Sequence, residues 1–398
     1  MQARPAETVL IGAGIHGVSV ALALAARGRR SVLLEAGPEP LARASLLNEG
    51  KIHLGFVYAL DKSGETARAM VEGALAFAPL IERWCGEIDW VSGRSEGFGY
   101  VVMDDGLSNA DELEAHYETV LAEIARTGEE LGTNYLGVDL DGARVTRRNA
   151  AMPGMREGLS TCWFETPEMA FDPREICRVL AGAVADEPLV EVLTGRRVTG
   201  VDRSQGGYTV LTESPAGEVS FMAEHVVNCA WEGRPALDAM VLGPGPQENF
   251  RVKHRVLVRG GESNLSPVTL VQGPFGDVVP WPNGDVYISW YPDARTHFGN
   301  RPAERAEADR EVAGRVHRRI AGLFPAVGEH ELAGFGPCYI LARGSTDIND
   351  PGSGLHKRAE ASFVEADGWW SIRSSKLTTA PLAGERCAAA ITGSEVQV

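Results

Sequence analysis

Thr8, Val9, Leu10 and Ile11 form a short apolar run that stops at Gly12, and a longer apolar and alanine-rich stretch resumes at Val18 and lasts to Arg27. Four buried-type residues closed by glycine read as a strand, and three turns of apolar residues closed by Gly28 read as a helix. Ser31 to Leu34 is a second short run, ending on Glu35. Strand, glycine turn, helix and strand make a βαβ unit.

Farther along, Ala67, Met70, Ala74, Phe77, Leu80 and Ile81 share one stripe of a helix predicted over Ser63–Trp84, with Ser63 as its N-cap. Gly97 to Met103 reads as a strand and Asp111 to Leu131 as an acidic surface helix. Phe171-Asp172-Pro173 opens a helix whose Ile176, Val179, Leu180 and Ala183 share a face. Short strands are then predicted at Val190–Leu193, Arg197–Val201, Tyr208–Thr212 and Val219–Ala223, and Glu224 to Arg234 forms an apolar strand stopped by a tight turn. Arg251–Arg259, Val268–Gln272 and Asp285–Tyr291 are further strands, followed by a charged helix over Glu304–Leu323. Near the end, Trp369–Ile372 is a strand, Arg373–Lys376 a turn and Leu377–Ile391 a helix. The chain shows no internal repeat.

Gly12, Gly14 and Gly17 give the spacing G-x-G-x-x-G between the first strand and helix. Gly12 permits the turn, Gly14 lets a pyrophosphate approach the backbone past Ile15 and His16, and Gly17 lets helix and strand pack closely. The helix start attracts the phosphates. Glu35, followed by Ala36, stands where an acid accepts hydrogen bonds from ribose hydroxyls, which disfavours a phosphorylated ribose. Ser45 and Asn48 lie in the turn-rich stretch Gly37–Asn48, from which they can face a phosphate.

The chain has 398 residues, enough for two domains, with 44% hydrophobic and 23% charged residues, as in ordinary globular proteins. A net charge of -16 argues against nucleic acid or an anionic membrane as a partner. The six cysteines form no C-x-x-C pair and no metal spacing, so reduced thiols and no metal are expected. With no leader-like or spanning apolar run, a cytoplasmic location is the default expectation.

The N-terminal fingerprint, the Phe-Asp-Pro helix with its returning strand, and Ser375-Lys376-Leu377-Thr378-Thr379 together resemble the FAD-dependent oxidoreductases of the D-amino acid oxidase superfamily. That group includes glycine oxidase, sarcosine oxidase, glycerol-3-phosphate dehydrogenase and L-2-hydroxyglutarate dehydrogenase. The resemblance implies an α/β fold: a Rossmann-like FAD-binding domain of the GR2 type and an α+β substrate domain on a mainly antiparallel sheet. The expected division gives residues 1–84, 147–235 and 346–398 to the FAD-binding domain, and 85–146 and 236–345 to the substrate domain. By the same resemblance, Gly12, Gly14, Gly17 and Glu35 hold the ADP half of FAD. Ser45, Asn48, Gly50 and Lys51 follow the pyrophosphate and flavin edge, and Val198 lies beside the adenine. Ala230 belongs to the returning turn, where Trp231 replaces the usual glycine. Ser375, Lys376, Leu377 and Thr378 lie at the pyrimidine end of the flavin, where a helix start and a lysine stabilise the anionic reduced ring. Lys376 as a plain surface lysine is the alternative. Two arginines that grip phosphate in the glycerol-phosphate branch correspond to Val57 and Gly336 here, which argues against a phosphorylated substrate.

The resemblance implies oxidation of a C–N or C–O bond in a small polar substrate, with dioxygen or another acceptor reoxidising the flavin. His53 is the candidate base, or else packs beneath the ring. His254 falls near an active-site histidine of the glycerol-phosphate branch, or else faces solvent. Arg343 and Arg373 are candidate carboxylate clamps, or else pair with surface acids. Trp281, Tyr287, Trp290 and Tyr291 line a cavity or fill a core. A flavin monooxygenase or halogenase, or a non-catalytic dinucleotide-binding protein, are the other classes considered. Amine against alcohol and the oligomeric state stay open.

Overall fold

A computed structural model describes residues 3–260 and 264–398. Two large sheets carry it. The first has eight strands, and its parallel centre is Val190–Leu193, Ser31–Leu34 (β2), Arg4–Ile11 (β1) and Val219–Asn228, in that order. Trp369–Ile372 joins the last of these in parallel, which brings the chain's end beside its beginning. Helix α1, Ile15–Ala25, connects β1 to β2 and has ten of its 11 residues buried. A parallel sheet covered by helices requires such continuous apolar runs. The closing helix Ala380–Thr392 crosses α1 closely: a Cβ on Gly384 would lie 2.6 Å from Ser19 Cβ.

The second sheet has nine strands and is antiparallel except where Gly99–Val102 pairs with Val268–Val271. Its spine is Glu248–Arg259, paired along its length with Glu331–Arg343. Strands Thr146–Arg148, which straddles the expected boundary at residue 147, and Trp163–Glu165, which lies beyond it, hydrogen-bond into this sheet. The two-residue strand β3, Lys51–Ile52, pairs with Met169–Ala170 beside both sheets.

Helix α2, Glu65–Cys85, buries the expected stripe but begins two residues late. Gly64 holds the cap in a left-handed conformation (φ 71°), while the Ser63 hydroxyl accepts the Glu65 N–H. The Phe-Asp-Pro helix spans Pro173–Asp186 and is capped by Asp172, as its sequence predicts, although Cys177 and Val184 join the buried face. Val219–Asn228 is one strand, where two were expected. It ends in a short turn and the unforeseen helix Arg234–Leu242. The charged helix starts at Arg310, because Asp309 caps it, and the last helix starts at Ala380, with Thr379 as its cap residue. Among the described residues, no helix is long and apolar enough to cross a membrane.

Candidate active site

A cavity of about 1020 Å³ opens at the carboxyl ends of β1 and β2 and runs to the floor of the second sheet. Its first end is built by the glycine turn. Gly12 has φ 98°, and a Cβ there would meet Cys229 O at 2.8 Å, while a Cβ on Gly17 would meet Gly12 O at 1.9 Å. Only glycine permits both approaches. Gly12 and Gly14 face the cavity and Gly17 lies behind it. Helix α1 starts at Gly14, which has no side chain to cap it, and its first turn carries no acid. Its Ile15 N–H donates to Ser45 Oγ at 2.9 Å.

Glu35 lines the cavity and accepts hydrogen bonds from Ala13 N at 2.9 Å and Gly37 N at 2.7 Å. The acid expected at the ribose thus also braces the glycine turn. His16 Nε2 is buried without a partner, and burial followed by the Arg234 charge pushes its imidazole down to about 4. Space above Gly14, a helix start free of acids and an orphaned imidazole nitrogen together fit a pyrophosphate. Ala36, Val198 and Ala230 line the same end. Asn48 also lines it, but its amide is used within its own loop, donating to Ala44 O and Ser45 O and accepting from Gly50 N. Gly50 lies outside the lining: a Cβ on it would meet Phe171 O at 2.1 Å.

At the other end, residues 49–53 meet residues 375–378. Thr378 is buried behind the wall and accepts the His53 N–H at 2.7 Å. Ser375, Lys376 and Leu377 line the cavity. Lys51 Nζ donates to Thr269 and, at 3.0 Å, to Asp277, and sits 4.3 Å from the Phe98 ring centre. His53 also lines the wall. Its Nε2 lies 3.5 Å from Lys376 Nζ and 3.7 Å from Glu49 Oε1, and its Nδ1 lies 3.4 Å from Glu168 Oε1.

His254 lines the cavity, buried, with Nδ1 unpartnered, and burial lowers its proton affinity. Arg343 is not in the cavity: its half-exposed side chain lies 3.8 Å from Glu360. Arg373 pairs with Asp238 at 3.0 Å, also outside. Of the four aromatic candidates only Tyr287 reaches the wall; its phenol is pushed up to about 12, first by burial.

Four charged residues at this end were not singled out from sequence. Glu49 sits two positions before Lys51, between two residues, Asn48 and Gly50, that the resemblance does name. Burial pushes its carboxyl up, but the His53 ring beside it and the Lys376 and Lys253 charges hold it well below the usual range. Lys253 stands on the second-sheet spine and is held above its ordinary range against burial, first by Tyr287, then by Asp277 and Glu49. Arg358, from the loop before the last strands, donates Nη1 to Leu341 O at 2.9 Å and Ser375 Oγ at 3.2 Å; its Nε is buried without a partner. Glu168 is fully buried behind His53. Lys376 is lowered by burial and by the like charges of Arg358 and Lys253, although Glu49 opposes this.

A family model described as FAD dependent oxidoreductase matches residues 7–390. No curated protein matches the chain. Among solved structures, glycine oxidase from Geobacillus kaustophilus is 17% identical with a TM-score of 0.75, covering 99% of this chain and 96% of that one. The dithionite-reduced L-alpha-glycerophosphate oxidase from Mycoplasma pneumoniae with FAD bound is 16% identical with a TM-score of 0.73, covering 100% and 96%. L-amino acid deaminase from Proteus vulgaris is 15% identical with a TM-score of 0.72, again covering 100% and 96%. At such identities these likenesses speak for the fold. Read with the family match across nearly the whole length, the chain belongs to the FAD dependent oxidoreductase family.

Proposed function

We propose that this enzyme oxidises the C–O bond of a small hydroxy monocarboxylate, holding the carboxylate on Arg358 and taking the hydroxyl proton on His53. The observation that carries this is Arg358: a buried guanidinium on the cavity wall with no carboxylate within 4.0 Å among the described residues. A buried cation without a counter-ion is costly, and a planar fork is suited to a carboxylate. The surrounding charges agree. Lys51, Lys253, Arg255, Lys376 and Arg358 outnumber Glu49, Glu168 and Asp277, which leaves this end of the cavity positive and suited to a substrate anion.

FAD held here by the glycine turn, Ser45 and the 375–377 segment supplies the two-electron acceptor for the hydride. The protein supplies position and proton transfer. Arg358 fixes the acid group, Lys376 places a cation at the reacting end, and Lys51 on the wall, backed by the buried Phe98 and Tyr100 rings, excludes water. An alcohol must lose its hydroxyl proton, and His53 Nε2 faces the cavity to take it. Glu49 supports a second reading, because a carboxylate on the same wall can hold an amino group. Glycine oxidase and L-amino acid deaminase, both similar in fold, act on amino acids according to their names.

The test is anaerobic bleaching of the bound flavin near 450 nm, a wavelength roughly typical of oxidised flavins. The panel holds 2-hydroxy acids, 2-amino acids and glycerol phosphate. Bleaching by hydroxy monocarboxylates is expected. Bleaching by amino acids alone would move the reading to the amine, and bleaching by glycerol phosphate alone would overturn it.

A further inference from the structure

We infer that Glu168 is a positioning residue for the oxidation: it holds His53 in the tautomer whose bare Nε2 faces the substrate. The inference rests on the reading of His53 as the base. Lys376 as an ammonium can only donate, so its Nζ 3.5 Å from His53 Nε2 favours a lone pair on Nε2 and the ring proton on Nδ1. Nδ1 is buried, makes no hydrogen bond and has the Glu168 carboxylate beside it, Oε1 at 3.4 Å. Glu168 is itself fixed. It accepts the Leu54 N–H at 2.6 Å and the Tyr100 hydroxyl, and its side chain is wholly buried.

Burial raises the Glu168 carboxyl, but the His53 contact, the Lys51 charge and the Tyr100 hydroxyl together keep it below its usual range, so it stays an anion. When Nε2 takes the proton, the new N–H finds Glu49 Oε1 at 3.7 Å, while Glu168 balances the imidazolium from behind. The proton passes from the substrate hydroxyl to Nε2 as the hydride leaves the adjoining carbon. The other groups facing the ring are Lys376 on the 375–377 turn, Tyr58 with ring centres 5.7 Å apart, and the Thr378 hydroxyl on the His53 backbone. A carboxylate that orients and balances an imidazole is a general device of acid–base sites.

The test compares E168Q, Y100F and H53N holoenzymes by the pH dependence of anaerobic flavin reduction. In E168Q the amide oxygen keeps the Leu54 bond and the NH₂ group turns to the ring. The acid limb of the profile should move to lower pH by about one unit or more, and the plateau should fall about tenfold or more. In Y100F the carboxylate loses a donor and becomes a stronger partner, so the limb should move the opposite way. Shifts of opposite sign are not produced by general loosening. In ¹⁵N-histidine spectra, the signal that vanishes in H53N should show the Nδ1–H tautomer in the parent protein and lose it in E168Q. If H53N abolishes the limb but E168Q and Y100F leave it in place, the role of Glu168 is overturned and His53 as base survives. A limb unchanged in H53N overturns the base itself. If E168Q does not fold, the sign of the Y100F shift decides.

Discussion

Gly17→Ala isolates the contact that seats α1 on β1. The added Cβ would lie 1.9 Å from Gly12 O, 3.1 Å from Gly12 C and 3.3 Å from Leu33 Cδ1. Gly12 O belongs to backbone that cannot rotate away, so the helix must withdraw by about 1 Å before the contact becomes tolerable. Overpacking costs ~1–3 kcal/mol, and a 1.9 Å approach to backbone belongs at the upper end, ~2–3 kcal/mol; alanine recovers about 1 kcal/mol in helix propensity. The net expectation is a loss of ~1–2 kcal/mol. Gly182 is the internal control. It sits in the Pro173–Asp186 helix, exposed, with nothing within 4 Å of a built Cβ, so Gly182→Ala should gain ~0.5–1 kcal/mol. Withdrawal of α1 also carries its N-terminus away from the phosphates, an interaction of ~0.3–1 kcal/mol near the surface and ~2 when partly buried. The Kd for FAD should therefore rise roughly 3- to 10-fold. Urea denaturation gives the two stabilities, and titration of apoprotein by quenching of flavin fluorescence gives the Kd. A Gly17→Ala protein as stable as the parent, or one with unchanged FAD affinity, refutes the reasoning.

Arg358→Met leaves the volume but removes the anion clamp. Losing a charge-assisted pair of ~2–3 kcal/mol should raise the apparent Kd of a carboxylate substrate roughly 30- to 100-fold, read from the concentration dependence of flavin reduction. An unchanged value removes Arg358 from the site. His16 sets a pH dependence of stability. Its folded-state value near 4 lies below the unfolded value of about 6.5. The unfolded chain therefore takes up a proton first, so stability is full above about pH 6.5 and falls between there and about 4. His16→Asn should flatten that slope in urea midpoints measured across this range; an equally steep slope in the variant would assign it elsewhere.

The parts legible in the sequence are those in which neighbours in the chain are neighbours in space. The β1–α1–β2 unit and the Asp172-capped helix declare themselves within about ten residues each, because turn, cap and periodicity are local. Strand Glu331–Arg343 does not declare itself, because Gly334, Gly336 and Pro337 weaken a strand signal, yet all three sit in its ladder with Glu248–Arg259. Helix Arg234–Leu242 follows a tight turn in which Trp231 takes φ 49°, a conformation its residue type does not announce. The site divides in the same way. The glycine turn and residues 51–53 and 375–378 were readable as motifs. Lys253, Arg358 and Glu168 come from three separate stretches of chain, and HKRAE around Arg358 has the polarity of an exposed loop. Their convergence on His53 and Lys376 is a property of the fold. Arg343 has the right chemistry on the right strand, but it stands at the end of that strand, away from the cavity.

Helix α1 is made long before the helix that covers it. At ~5–20 residues per second, synthesis from Ala25 to Ala380 takes roughly 20–70 seconds, and through that interval α1 lacks the Ala380–Thr392 helix that packs on it. The wall carrying Lys376 is missing over the same interval, so a nascent chain can present a phosphate-binding turn long before it can enclose a flavin. Ribosome-bound intermediates of this protein will therefore expose a greasy surface, and they will need the segment that carries Lys376 before they can turn yellow.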